Sequence, residues 1–299
     1  LAIADIVRAN FEGNTMARRL KLMTSLSTLA VTGALAVAGC GAEGEGEGAT
    51  AAATGAPAGA EGEGEGEGAA TLAPAQPASG EGEGGVDIAA AATDPVVFKS
   101  ALAIAEAHVL AARDAYAAGR KEEAAQMFAH PVSEVLADME GAFVARGVES
   151  MNDLFVDASA GVLADETPEQ IAARTAAIVT ALNAAGEKAP ADGRPAATVS
   201  AGVVSDQIDR AVDMYRLASA SGAYGNYLDG YGFYKAAESA FARGRASIEK
   251  GNPAAAAQIA SALTALSAAY PSASAQGAIN ADLAALSAAS SRVMLAIGR

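Results

Sequence analysis

VVFKSALAIAEAHVLAARDAYAAG, residues 96–119, decides the fold class. The stretch is rich in alanine, its larger apolar residues recur at helical spacing, and Gly119 ends it, so it reads as one long helix over 96–118. Outward from it the pattern repeats. Residues 121–129 form a short helix, and Pro131 restarts the chain into another over 132–146. A helix over 150–163 follows. Thr167-Pro168-Glu169-Gln170 then supplies an N-cap with proline in the first turn and opens a helix to about residue 185. A segment rich in Gly, Pro and Ala, 186–197, divides the region in two. Beyond it helices are expected near 199–221, 226–250, 253–269 and 278–297. In the last, Ile279, Leu283, Leu286, Ser290, Val293 and Ile297 fall on one face. Long alternating β-branched runs are absent. The expected fold is all-α: a helical bundle of about eight helices in two halves, over 94–299.

The halves read as pseudo-repeats. Placing Gly119 on Gly251 aligns Ala105 with Ala237, Glu106 with Glu238 and Arg113 with Arg245. Beyond the glycine, Ala124, Ala125 and Gln126 fall on Ala256, Ala257 and Gln258. Alanine is common enough here that such matches also arise by chance. The glycine turn is reminiscent of tetratricopeptide hairpins.

Composition narrows the function. The 299 residues carry 35 acidic and 20 basic side chains, a net charge of -15, one cysteine and no tryptophan. A lone cysteine excludes a disulfide framework within the chain, a four-thiolate zinc site and a CxxC redox pair. The negative charge argues against nucleic-acid binding, which needs clustered Lys and Arg.

The N-terminal region resembles a bacterial lipoprotein export signal. Arg18, Arg19 and Lys21 precede a mostly apolar run over 22–37, too short for an ordinary membrane span. Val37-Ala38-Gly39-Cys40 then looks like a lipobox, and Cys40 is the only cysteine. The resemblance implies a signal peptide over 16–39 starting at Met16, residues 1–15 being an over-extended gene start. It also implies acylation of Cys40, a membrane anchor, and a place in the cell envelope facing the periplasm, the outer membrane rather than the inner. From 40 to 93 the chain is a low-complexity tether, with Glu-Gly repeats at 43–48, 61–68 and 81–84, about ten acidic residues and no basic one. It buries too little apolar surface to fold.

Enzyme motifs are missing: there is no HExxH, GxSxG, P-loop or dinucleotide fingerprint. Ser247-Ile248-Glu249-Lys250 spells SxxK without a KTG partner and reads as coincidence. A hydrolase would need a buried carboxylate pair, which the sequence cannot show; a non-catalytic protein is expected. Of the two histidines, His108 lies inside the first long helix and reads as a core or partly exposed residue. His130, Glu134 and Asp138 are spaced by four and would project along one side of a helix, where imidazole and carboxylates could hold Fe, Zn or Mn. The alternative has His130 capping a turn while both acids face solvent. Asp206, Asp209 and Asp213 read as a solvated stripe. Five tyrosines cluster at Tyr215, Tyr224, Tyr227, Tyr231 and Tyr234, around Asp229. They read either as core-edge packing or as a cleft of phenol and carboxylate oxygens suited to hard cations such as ferric iron.

Residues 219–233, with Tyr227-Leu228-Asp229-Gly230-Tyr231-Gly232-Phe233, resemble a pattern in the periplasmic helical module of bacterial iron permeases. That pattern runs Asp-Gly, a spacer, then Glu-Tyr-Gln-Asp-x-x-Gly-Phe. Tyr227, Asp229 and Gly232-Phe233 match; Ser221, Asn226 and Leu228 replace its Asp, Glu and Gln. The permease's Arg-Glu-x-x-Glu motif and its membrane helices are absent. The outline is also similar to imelysin-type iron proteins, whose GxHxxE motif is not here. The resemblance implies iron handling beside envelope iron-transport proteins. Taken with the residue patterns, the expectation is a non-catalytic metal-handling module in which His130, Glu134 and Asp138 face Tyr227, Asp229 and Tyr231. The competing expectation is a structural or interaction lipoprotein with no metal.

Overall fold

The computed structural model describes residues 85–274 and 279–298. The readings of 1–15, of the signal peptide, of Cys40 and of the tether as far as residue 84 lie outside the described residues. The described part is helical, with no strand among the described residues. Folding begins earlier than Asp94. Val86 and Ala91 are buried, and Asp87 caps a one-turn helix, α1 (Ile88–Ala91), by accepting from the Ala90 N–H.

The long helix expected at 96–118 is α2 (Pro95–Ala117). Asp94 caps it through the N–H groups of Val96 and Val97, and Pro95 occupies the first turn. Its hydropathy and length would suffice to cross a membrane, but most of it is buried at the centre of the domain. The helix α3 (Lys121–Pro131) runs on through a π-helical segment, Val132–Leu136, into α4 (Ala137–Ala145). Pro131 therefore does not restart the chain as expected. The i→i+5 bonding of the π segment takes up the residue that the proline ring displaces, and the rod continues.

Then come α5 (Asn152–Leu163) and α6 (Pro168–Gly186). The latter opens with a full capping box between Thr167 and Gln170. After the dividing loop, α7 (Ala196–Ser221) and α8 (Tyr224–Gly251) form a long hairpin, followed by α9 (Pro253–Ala269) and α10 (Leu283–Ala296).

Packing resolves these helices into two sets of four. In the first, α2, α3, α5 and α6 close a ring of neighbours; in the second, α7, α8, α9 and α10 do the same. The sets meet where α2 lies against α8 and α7. The two aligned glycine turns are built differently. Gly119 takes φ +79, in the left-handed region, whereas Gly251 is the last helical residue, where a Cβ would come within 2.6 Å of Ala197 Cβ.

An ion pair on a buried carboxylate ties the sets together. Glu106 of α2, its side chain 3% exposed, accepts from Arg243 Nη1 and Nη2 of α8 at 2.8 and 2.9 Å and from Ser239 Oγ at 2.6 Å. A cavity of about 390 Å³ opens beside it. The expected aspartate stripe is only partly solvated: Asp206 pairs with Arg210, and Asp209 accepts from Ser290 of α10.

Candidate metal centre

Three helices and the π segment bring one group of side chains together. His108 projects from the middle of α2, His130 from the last turn of α3, Glu134 from the π segment and Asp229 from α8. Candidate ligand atoms of His108, His130 and Glu134 all lie within 4.8 Å of one another. His108 Nε2 is 3.8 Å from Glu134 Oε2 and 3.9 Å from Asp229 Oδ1, and His130 Nδ1 is 3.9 Å from Glu134 Oε1. These gaps are too long for hydrogen bonds. They are slightly wider than the ~3.4 Å separating ligand atoms around a tetrahedral ion with bonds of ~2.1 Å. Both histidines of the chain belong to this group.

The tautomer of His108 follows from its partner. Nδ1 lies 2.9 Å from the Ile104 carbonyl, which can only accept, so Nδ1 carries the proton and the Nε2 lone pair faces the carboxylates. Metal-ligating histidines are oriented by this kind of bond. Burial holds the imidazole below its ordinary pKa, the His108–Ile104 bond and Glu134 opposing. Phe233 stands edge-on to its ring at 6.1 Å, and His130 at 6.0 Å. Burial also pushes Asp229 up to about 6, with His130 opposing. The group is graded from inside to outside: the His108 side chain is 8% exposed, Asp229 29%, Glu134 31% and His130 43%.

Two glycines explain the local sequence around Asp229. A Cβ on Gly232 would stand 2.5 Å from the Ala107 carbonyl oxygen, so its absence lets α8 approach the backbone of α2 beside His108. A Cβ on Gly230 would meet the Tyr270 hydroxyl at 1.9 Å. Tyr-Leu-Asp-Gly-Tyr-Gly-Phe thus presents Asp229 between two close helix contacts.

Of the six candidate ligands named from sequence, the structure gathers His130, Glu134 and Asp229. Asp138 lies on α4 outside the group, because the π segment breaks the spacing-of-four stripe after Glu134. The tyrosines are engaged elsewhere. Tyr227 donates to the Ser272 carbonyl at 2.8 Å and Tyr231 to Asp114 Oδ2 at 2.8 Å. Tyr224 and Tyr270 donate to the carbonyls of Ala273 and Ala211, Tyr234 donates to Glu238, and Tyr215 accepts from the Ala281 N–H. Burial pushes the Tyr227 phenol up to about 12, and burial with the Asp114 bond raises that of Tyr231. His108, read as a core residue, is the innermost member of the group. The signal available for it was the chain's having only two histidines, on neighbouring helices.

Residues 225–296 match the family model of the iron permease-associated 4-helix bundle domain. The match covers nearly all of α8, with α9 and α10, and contains Asp229; His108, His130 and Glu134 lie before it. No curated protein and no solved structure matches the chain.

Proposed function

We propose that the domain binds a metal ion, iron in its native setting, as a non-catalytic handling module, through His108, His130, Glu134 and Asp229. The observation that carries the reading is the meeting of both histidines with Glu134, the innermost imidazole being oriented by a backbone carbonyl and standing 3.9 Å from Asp229 Oδ1 of a helix far off in sequence. Two imidazoles with two carboxylates form a donor set suited to first-row transition ions. The match to an iron permease-associated domain supports iron as the cargo. The export signal read at 16–39 and the lipobox cysteine, Cys40, support a lipid-anchored place in the envelope, beside iron-transport proteins.

Calorimetric titration of the full chain with zinc, a redox-silent probe, tests the binding. Saturable micromolar or tighter association is expected, and the His130→Ala, Glu134→Ala double variant is expected to lose it. Absence of saturable heat with zinc, manganese and ferrous ions alike would overturn the reading in favour of an interaction protein.

The group also gives the metal-free protein a defined pH response. The folded pKa of Asp229 lies above the ordinary carboxylate range, so the fold binds this proton more tightly than the unfolded chain does. Asp229 therefore adds stability as pH falls from above about 6 toward 4. His108, held low by burial, pulls the other way as pH falls through its ordinary range. Urea midpoints of the chelator-treated protein at pH 7 and pH 5, beside Asp229→Asn, isolate the first effect. The variant is expected to lose more stability on acidification than the parent; equal pH dependence would mean that the carboxylate is not desolvated in the fold.

A further inference from the structure

Building on the metal-binding reading, we infer that the centre takes one divalent cation and discriminates against ferric iron. Three observations lead there. The first is the donor set. His108 offers a neutral Nε2 lone pair fixed by the Ile104 carbonyl, and with His130 it supplies two imidazole nitrogens beside two carboxylates. Imidazole suits zinc, copper, iron and nickel, but as a neutral nitrogen donor it offsets none of the charge of a hard trivalent ion. The anionic oxygens able to complete such a shell would be phenolates. The tyrosines nearest in sequence to Asp229, Tyr227 and Tyr231, have their hydroxyls on Ser272 and Asp114 instead. Bringing either to the metal would break that hydrogen bond, to the part-buried Ser272 carbonyl or to Asp114, which Arg113 also holds.

The second observation is charge. Two carboxylates neutralise a divalent ion. A trivalent ion would leave one uncompensated positive charge against an imidazole that is 8% exposed, and within electrostatic reach of the Arg210 guanidinium. An unpaired charge in such surroundings is costly. The third is stoichiometry. Two-metal carboxylate sites in helical bundles draw on four carboxylates and two histidines; here two of each converge, enough for one ion. The centre therefore holds ferrous iron more tightly than ferric iron.

The test uses the full chain under anaerobic conditions, titrated separately with ferrous sulfate, with zinc sulfate, and with ferric nitrilotriacetate, with visible absorption and protein-bound iron as readouts. The expected result is one ferrous ion or one zinc ion per chain, each displacing the other. Ferric iron is expected to stay with its chelator, and no ferric–phenolate band to appear. Transfer of ferric iron to the protein, a phenolate band that Tyr231→Phe or Tyr227→Phe abolishes, or two ions per chain would overturn the inference while leaving the metal-binding reading in place. Failure of every ion to bind would overturn both.

Discussion

Replacing His108 by alanine is expected to lower the zinc affinity of the full chain by roughly 100-fold or more, to be read by competition against a chromophoric chelator. Partners that merely orient a ligand are typically worth about 10- to 100-fold in metal affinity, and His108 is in the proposed centre a ligand itself. It is also the member that faces two carboxylates, with Nε2 3.8 Å from Glu134 and 3.9 Å from Asp229. A buried side chain cut to alanine also leaves a cavity. The conclusion therefore rests equally on His108→Phe, which keeps a ring in the space beside Phe233, and on Asp229→Asn, which changes one oxygen to nitrogen. All three are expected to lose affinity while retaining the helical circular dichroism of the parent. Parent-like affinity in His108→Phe would remove His108 from the centre.

The largest effect on stability is expected at a residue outside the proposed centre. Arg243→Ala is expected to destabilise the domain by about 3 kcal/mol, the usual result of stripping the partner from a buried charge. The asymmetry of the pair is the reason. The Arg243 side chain is 41% exposed and would lose little on its own account, but Glu106 is 3% exposed and would keep only its bond from Ser239. The remedy should then lie on the other helix. Adding Glu106→Gln to Arg243→Ala removes the stranded charge and is expected to recover part of the loss, a positive coupling that a double-mutant cycle of urea midpoints reads directly. Additive losses in the two variants would show that Glu106 finds water or another cation.

The helices were legible because their signals are local. Asp94 and Thr167 cap from one position, Pro95 and Pro168 sit in first turns, and Gly119 turns the chain with a positive φ. None of this depends on distant residues. The centre depends on little else. His108 and Asp229 are 121 positions apart, and their approach requires the missing Cβ of Gly232 against Ala107. No periodicity reveals a contact of that kind. The spacing-of-four argument found His130 and Glu134 and then carried one step too far, to Asp138, because it assumed a uniform helix where the backbone widens. The tyrosine cluster shows the opposite error. Side chains close in sequence and rich in oxygen suggested a ligand cleft, but their hydroxyls pin the backbone of Ser272, Ala273 and Ala281 and carboxylates on α2 and α8. Phenols in a core satisfy buried polar groups first.

The widened turn at Val132–Leu136 also bears on descent. A π segment amounts to an α-helix carrying one surplus residue, and each residue in an α-helix corresponds to about 100° of rotation. A single-codon deletion there would leave the rod helical from Lys121 to Ala145 while swinging the side chains on one side of the deletion by about that angle relative to those on the other. A relative lacking that codon would keep the bundle and the caps but would not aim His130 and Glu134 together at His108.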